Sequence, residues 1–201
     1  MPVIHTSPTI TAVVLAAGSS RRMGSPKLTL PWGNSTVIGS VINTLVSTGI
    51  SQIIVVTGGY KNEVENALVG HPVTLVHNKD YLEGEMISSL KVGLHYVSEI
   101  AQAVLITLGD QPQIEPQVIH QILKVFSREN YPIIIPSYNH RRGHPWLLRN
   151  DYLAKVQKLG VSQSMRDFLS DQQQSIHYVD VNTNKVLMDL DTPEDYQRLK
   201  P

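Results

Sequence analysis

The stretch Leu15-Ala-Ala-Gly-Ser-Ser-Arg-Arg-Met-Gly-Ser-Pro-Lys27 follows directly on an apolar run, 9–16. The apolar run is typical of a buried parallel strand, and the small residues after it indicate a loop at the strand's carboxyl end. In such a loop, backbone N–H groups can approach phosphate oxygens while arginine and lysine neutralise their charge. This stretch, called the signature loop below, predicts a phosphate-binding site at one edge of an α/β sheet.

Strand-like and helix-like segments alternate along the chain. The sequence predicts strands over 10–16, 53–57, 73–77, 103–108, 133–136 and 176–181. It predicts helices over 35–48, 62–69, 85–98, 118–126, 150–158 and 164–169, and a last helix with Thr192 as N-cap, Pro193 as first residue and Asp195 three residues past the cap. The basic patch 140–144 is interpreted as a loop between elements. This order predicts an α/β fold, a mostly parallel three-layer α/β/α sandwich, with ligands at the carboxyl ends of the strands.

Length and composition narrow the class of protein. The 201 residues predict one domain over 1–201 with a core of about 9–199, and the formal net charge of zero argues against nucleic acid or an anionic membrane as partner. The chain has no cysteine, which excludes disulfides and thiolate chemistry. Because it shows no secretory signal and no apolar run of about 18 residues, we expect a cytoplasmic protein.

Two common phosphate-binding motifs are missing from the signature loop. No GxxxxGK[ST] string occurs anywhere in the chain, and the segment 18–24 does not supply GxGxxG. The loop, from Gly18 to about Leu30, is also longer than a dinucleotide-binding turn. P-loop hydrolysis and hydride transfer are therefore disfavoured.

The signature loop closely resembles that of nucleotidyltransferases that activate small molecules with a nucleoside triphosphate. The segments Asn78–Leu94, Gly109-Asp-Gln-Pro112, Gly143-His-Pro145 and Asp189–Tyr196 are similar, in that order, to the molybdenum cofactor cytidylyltransferase family within the MobA-like NTP transferases. The resemblance covers about 9–199. It implies a Rossmann-like nucleotidyltransferase fold.

Nucleotidyl transfer requires positioning and charge neutralisation more than acid–base chemistry. A substrate phosphate attacks the α-phosphorus in line, pyrophosphate leaves, and no covalent enzyme intermediate is needed. The site must therefore supply a backbone cradle, cations for the triphosphate and a carboxylate for Mg²⁺ or Mn²⁺.

The resemblance assigns these tasks to particular residues. It implies Lys27, Arg22 and Asp110 as catalytic residues and Asp110 with Asp191 as metal ligands, with Asp189 as the alternative to Asp191. The implied nucleotide-binding residues are Leu15, Ala16, Ala17, Gly18, Ser19, Ser20, Arg22, Met23, Gly24, Lys27 and Gly109. In the family Ala17 stands where the guanylyl branch typically has glycine, which favours CTP.

The implied acceptor-binding residues are Asn78, Gly84, Ser88, Ser89, Gly143, His144 and Pro145. Glu85 departs from the expected pattern, since a carboxylate is unfavourable beside an anionic acceptor.

The expected function is transfer of CMP from CTP to a molybdopterin-type substrate, with a molybdoenzyme or its maturation factor as protein partner. Two alternatives stay open: transfer to another phosphorylated small molecule, and a molybdenum-cofactor binding or insertion protein with little transfer activity.

Overall fold

The computed structural model describes residues 9–50, 52–83, 86–160 and 163–201. Its strands are β1 (Ile10–Ala16), β2 (Pro31–Trp32), β3 (Ser35–Thr36), β4 (Gln52–Thr57), β5 (Thr74–His77), β6 (Ala103–Leu108), β7 (Ile133–Tyr138), β8 (Arg141–Arg142), β9 (Trp146–Arg149) and β10 (Ile176–Asp180). Its helices are α1 (Val37–Ser47), α2 (Lys61–Ala67), α3 (Met86–Leu94), α4 (Pro116–Glu129), α5 (Asn150–Gln157), α6 (Met165–Asp171) and α7 (Pro193–Leu199).

The main sheet has the strand order β10-β7-β9-β6-β1-β4-β5, and β8 pairs with β7 beside this path. Strand β1 lies inside the sheet and pairs in parallel with β4 and β6, so that Leu15 is level with Val56 and Leu108. The carboxyl ends of these three strands therefore meet at one edge. That edge brings the signature loop beside the segments that follow β4 and β6.

Both faces of the sheet are covered. Along β1, Ala12 and Val14 belong to the core beneath α1 and α4, whereas Val13 belongs to the core beneath α3, α5 and α6. Because both faces are buried, the central strands read as continuous apolar runs rather than alternating ones. The predicted mostly parallel α/β/α sandwich is confirmed.

Four short strands, β2, β3, β8 and β9, were not predicted. Strand β9 lies between β6 and β7 and runs antiparallel to both. It has four residues, follows Pro145 directly and runs straight into α5, so no turn sequence separates it from its neighbours. The interpretation of 140–144 as a loop is wrong in part, because Arg141–Arg142 form β8, which turns back on β7 through Asn139 and His140 at positive φ.

Some helices begin or end a few residues away from their predicted bounds. Helix α1 begins at Val37 rather than at 35, because the Thr36 side chain accepts the Gly39 N–H as N-cap. Helix α3 is shorter than the predicted 85–98. The predicted start of α7 is confirmed, with Thr192 and Asp195 forming a reciprocal capping box. Among the described residues, no helix has the length and apolar character to cross a bilayer.

Candidate active site

The signature loop leaves β1 and turns back on itself. The Ser20 carbonyl accepts the N–H groups of Met23 (3.0 Å) and Gly24 (3.1 Å), and Ser20 and Gly24 have φ values of 48° and 69°. The Met23 side chain is buried and anchors the turn. The Lys27 N–H reaches Ser20 Oγ at 3.4 Å, which ties the end of the loop to its beginning.

Two glycines let neighbouring segments approach the loop closely. A Cβ on Gly58, after β4, would lie 2.6 Å from the Ala17 carbonyl oxygen. The Gly109 N–H, after β6, donates to the Leu15 carbonyl at 2.9 Å. Backbone contacts of this kind fix the loop against both neighbouring strands, so the cradle is built on rigid elements.

The loop borders a cavity of about 360 Å³, called the loop cavity below. It is lined by Leu15, Ala16, Ala17, Gly18, Ser19, Lys27, Leu28, Tyr81, Met86, Ser89, Leu108, Asp110 and Asp189. Six of the residues predicted to bind nucleotide therefore line one cavity with the predicted carboxylate Asp110. Ser20, Met23, Gly24 and Gly109 do not line it and belong to the turn of the loop or to its neighbouring segment. Arg22 does not line it either and contacts Asp191 instead.

Lys27 stands between two carboxylates. Its Nζ donates to Asp110 Oδ2 at 2.5 Å and to Asp191 Oδ1 at 3.2 Å, and Arg22 reaches Asp191 Oδ2 at 2.8 Å. These four side chains are called the Lys27 cluster. The Lys27 side chain is 12% exposed, whereas that of Arg22 is 71% exposed. Solvent therefore screens the ion pairs of Lys27 less than the ion pair of Arg22. Burial opposes the charge of Lys27, but attraction to Asp110 and Asp191 outweighs it and raises the pKa of the ammonium.

The carboxylates suit a divalent cation that also binds phosphate. Asp110 and Asp191 converge on one point, and Mg²⁺ or Mn²⁺ commonly uses one or two carboxylates together with substrate phosphates. Within the described ranges, no group of three or more His, Cys, Asp or Glu residues could hold a metal without further ligands. The donor set therefore fits a metal shared with a triphosphate rather than a closed protein site.

Asp189 has a different environment from Asp191. It accepts a hydrogen bond from Gln111 Nε2 at 2.7 Å and faces the loop cavity. Burial raises the pKa of its carboxyl, and the hydrogen bond from Gln111 opposes that shift. Asp191, not Asp189, shares Lys27 with Asp110.

Asn78, Ser88 and Ser89 form one hydrogen-bonded group. Asn78 Nδ2 donates to Ser88 Oγ (2.7 Å) and to Ser89 Oγ (3.0 Å), and the buried Asn78 accepts the Asp80 N–H through Oδ1. Ser89 also faces the loop cavity. Asn78 therefore orients the two hydroxyls at the start of α3, while Gly84 and Glu85 lie outside the described residues.

A wider cavity of about 930 Å³ adjoins the first, because Met86 lines both. The residues lining this wide cavity are Glu83, Met86, Ile87, Arg142, His144, Trp146, Gln163, Ser164, Met165, Arg166, Asp167 and Leu169. Arg142, His144 and Trp146 lie on the short segment that leads from β8 to the start of β9 and bends at His144. Gly143, between Arg142 and His144, packs on Val186, where a Cβ would lie 2.6 Å from the valine, and Pro145 is buried.

His144 is the polar group of this wall. Its ring stacks on Trp146 with centroids 4.2 Å apart, and its buried Nε2 has no hydrogen-bond partner among the described residues. Burial lowers the pKa of the imidazole to about 4, so the ring is neutral at physiological pH. An unpaired nitrogen on a stacked pair of rings suits a planar heterocycle that carries hydrogen-bonding groups.

Some lining residues were missed by the sequence analysis. Trp146 begins β9, a strand that was not predicted, so its position beside His144 depends on the fold. Tyr81 and Met86 carry no motif of their own, and only the fold brings them to the loop cavity.

The chain belongs to the MobA-like NTP transferase domain family, which matches residues 12–176. It is therefore a nucleotidyltransferase. It is 30% identical over 190 residues to the molybdenum cofactor cytidylyltransferase of Escherichia coli (strain K12), and the match covers 93% of each chain.

Solved structures show the same architecture. The structure of Rv0371c from Mycobacterium tuberculosis H37Rv has a TM-score of 0.85 and 29% identity, covering 96% of this chain and 98% of that one. The same protein in complex with manganese has a TM-score of 0.79, 29% identity and coverage of 97% and 99%.

Proposed function

We propose that the protein transfers CMP from CTP to the phosphate of a molybdopterin-type acceptor and releases pyrophosphate. The observation that carries this proposal is the pair of adjoining cavities: one has the signature loop and Lys27, the other has the stacked His144 and Trp146, and Met86 lines both. Such a pair suits two substrates that must meet end to end. The likeness to the cytidylyltransferase of Escherichia coli supports the choice of acceptor, and Ala17 supports CTP.

In this proposal the triphosphate lies along the signature loop. A phosphate oxygen of the acceptor attacks the α-phosphorus, a new P–O bond forms, and the bond to the β-phosphate oxygen breaks as pyrophosphate leaves. Lys27 and Arg22 neutralise charge on the triphosphate, and the backbone N–H groups near Gly18 orient it. Alignment of the two phosphates is the main contribution of the protein.

Asp110 and Asp191 would hold a divalent cation, Mg²⁺ or Mn²⁺, which supplies charge neutralisation on the triphosphate when bound. The manganese complex of the Mycobacterium protein supports the use of such an ion. Because Lys27 Nζ occupies the space between these carboxylates, the lysine must turn toward the triphosphate when a cation is held there.

The test offers the purified protein a divalent cation, the molybdenum-loaded pterin and each nucleoside triphosphate in turn. We expect pyrophosphate and the cytosine dinucleotide with CTP alone. Product with GTP would overturn the choice of nucleotide. Binding of the pterin with no turnover by any nucleotide would overturn transfer in favour of a binding or insertion protein.

A further inference from the structure

The backbone holds Asp110 and Asp191 close to each other. The Leu190 N–H donates to the Asp110 carbonyl oxygen at 3.2 Å, which brings Asp191 beside the end of β6. A second contact between the same two segments joins Gln111 Nε2 to Asp189 Oδ1 at 2.7 Å. Because carboxylates fixed side by side repel each other, the position between them favours a cation whether or not substrates are bound.

The ammonium of Lys27 is that cation in the structure. Its Nζ lies 2.5 Å from Asp110 Oδ2 and 3.2 Å from Asp191 Oδ1, and Arg22 donates to the other Asp191 oxygen at 2.8 Å. A Mg²⁺ ion bound by both carboxylates would lie about 2.1 Å from their oxygens, in the space that the ammonium fills. Lys27 and a divalent cation therefore exclude each other from this position.

Lys27 can leave the carboxylates while its backbone stays in place. Its N–H reaches Ser20 Oγ at 3.4 Å, and its carbonyl oxygen accepts the Leu30 N–H at 3.3 Å. Its side chain lines the loop cavity together with Gly18 and Ser19, where we propose that the triphosphate binds. Rotation about the flexible four-carbon stem is therefore enough to move the ammonium from the carboxylates to a phosphate.

We propose that Lys27 blocks the cation position in the protein alone, and that the triphosphate opens this position by drawing the ammonium away. This inference rests on the proposed function, because it needs a triphosphate in the loop cavity and a cation at Asp110 and Asp191. The nucleotide and the divalent cation then bind as a coupled pair, in which each raises the affinity for the other by the same factor. The lysine adds to the part of that factor that comes from direct contact between cation and phosphates.

The test measures Mn²⁺ binding by electron paramagnetic resonance, with and without a CTP analogue whose α- and β-phosphates are joined by a methylene group. Calorimetry in EDTA measures the affinity for the same analogue without a metal. The variants are Lys27→Met and Lys27→Gln, with circular dichroism to verify that both fold. Arg21→Met is the matched control, because it removes one positive charge from an exposed position of the same loop.

Without nucleotide, we expect both Lys27 variants to bind Mn²⁺ about tenfold more tightly than wild type, because the carboxylates lose their internal counter-ion. The gain should persist in 1 M KCl, where the Debye length is about 3 Å and a general effect of net charge is screened. It should vanish when Lys27→Met is compared with wild type in an Asp191→Asn background. Arg21→Met should stay within about twofold of wild type.

The CTP analogue reports on the second half of the inference. In wild type it should tighten Mn²⁺ binding, and in both Lys27 variants the factor of tightening should fall by about tenfold. Without a metal, both variants should bind the analogue about tenfold more weakly than wild type, since they lack the ammonium that moves to the phosphates.

Several results would overturn the inference. Equal Mn²⁺ affinity of wild type and the Lys27 variants without nucleotide would remove it while leaving the proposed function intact. A gain that Arg21→Met shares, or that disappears in 1 M KCl, would mean that the lysine acts only through net charge. Undiminished affinity of the variants for the analogue in EDTA would mean that the triphosphate does not draw Lys27 away. If wild type does not bind the analogue with or without Mn²⁺, the proposed function itself fails and this inference fails with it.

Discussion

The two cavities of the candidate site differ in whether the polar side chains we assign to substrate binding already have partners in the protein. Beside the loop cavity, Lys27 and Arg22 are paired with Asp110 and Asp191 at 2.5 to 3.2 Å. In the wide cavity, by contrast, the buried His144 Nε2 has no partner among the described residues. One side is neutralised by its own residues, whereas the other holds polar groups that a ligand could satisfy.

This difference follows from the way the chain builds each side. The residues around the loop cavity, called the loop side below, follow the three adjacent parallel strands β4, β1 and β6, whose carboxyl ends lie at one edge of the sheet. The sheet itself therefore brings their charged side chains together. The residues around the wide cavity, called the wide side below, come from the segment that leads into the antiparallel strand β9, from the start of α3 and from the short helix α6. Substitutions on the loop side should therefore mainly affect chemistry, and those on the wide side mainly affect acceptor binding.

The largest effect is expected from Lys27→Met. The variant removes the cation that we propose for the triphosphate and leaves Asp110 and Asp191 without the charge between them. We expect transfer to fall by about 10²- to 10³-fold, measured as pyrophosphate release at saturating CTP.

Lys185→Met is the matched control, because Lys185 forms a 2.7 Å ion pair with Glu115 and both side chains are more than one third exposed. We expect it to leave activity unchanged and stability within about 1 kcal/mol. Near-normal pyrophosphate release by Lys27→Met would contradict the assignment of the loop cavity to the triphosphate.

Asp110→Asn should come next in size. The amide keeps the shape of the side chain and its contact with Lys27 but removes the negative charge that a divalent cation needs. We expect roughly a 10²-fold loss of transfer. We also expect weaker Mn²⁺ binding in the presence of CTP, which electron paramagnetic resonance measures.

Asp151→Asn serves as control, since Asp151 forms a 2.7 Å ion pair with Arg149 outside the site. Unchanged Mn²⁺ affinity in Asp110→Asn, with activity lost, would assign Asp110 to the orientation of Lys27 instead of to the metal.

The sequence predicted the loop side far better than the wide side. Residues 15–27 form a contiguous motif after a buried strand, and the register of parallel strands then brings Asp110 to it, so local pattern and topology were enough. The pairing of Lys27 with both Asp110 and Asp191 could not be read from the chain, because Asp191 is 164 residues away from it.

The wide side depends on contacts that leave no local signal. His144 was named through the family resemblance, but its stacking on Trp146 requires β9 to run antiparallel between β6 and β7. Tyr178 meets Arg142 only because β10 pairs with β7 at the edge of the sheet. Such contacts are set by strand order, which a single sequence specifies only indirectly.

A third prediction concerns stability and tests whether the wide side really holds an unsatisfied group. Burial lowers the pKa of His144 from 6.5 to about 4. Between pH 6.5 and 4, this imidazole is therefore protonated in the unfolded chain but neutral in the folded one. The folded state therefore loses stability as the pH falls from 6.5 to 4, by roughly 3 kcal/mol in all.

His144→Phe keeps a ring on Trp146 and removes the titrating nitrogen. We expect urea unfolding at pH 7 to be little changed, and the loss of stability between pH 6.5 and 4 to become smaller than in wild type. His95→Phe is the control, because His95 lies outside both cavities. The same pH dependence in His144→Phe and wild type would show that His144 is not the group that titrates.

The smallest effect is expected from Gly18→Ala, and it separates a glycine needed by the ligand from one needed by the fold. A Cβ on Gly18 would meet no atom within 4 Å, whereas a Cβ on Gly93 would lie 2.6 Å from Val13 Cγ1 and 2.9 Å from Val56 Cγ2. Gly93→Ala should therefore lower the free energy of unfolding by about 1–3 kcal/mol through overpacking of α3 on the sheet.

Gly18→Ala should leave the unfolding free energy within about 0.5 kcal/mol. It should nevertheless weaken CTP binding by about tenfold, because the new methyl group points into space that a phosphate would need to reach the backbone N–H groups. Calorimetric titration with CTP and urea unfolding of both variants measure the two quantities. Undiminished CTP affinity in Gly18→Ala would mean that the triphosphate lies away from the start of the signature loop. The assignment of the loop cavity to the triphosphate would then depend on Lys27 alone.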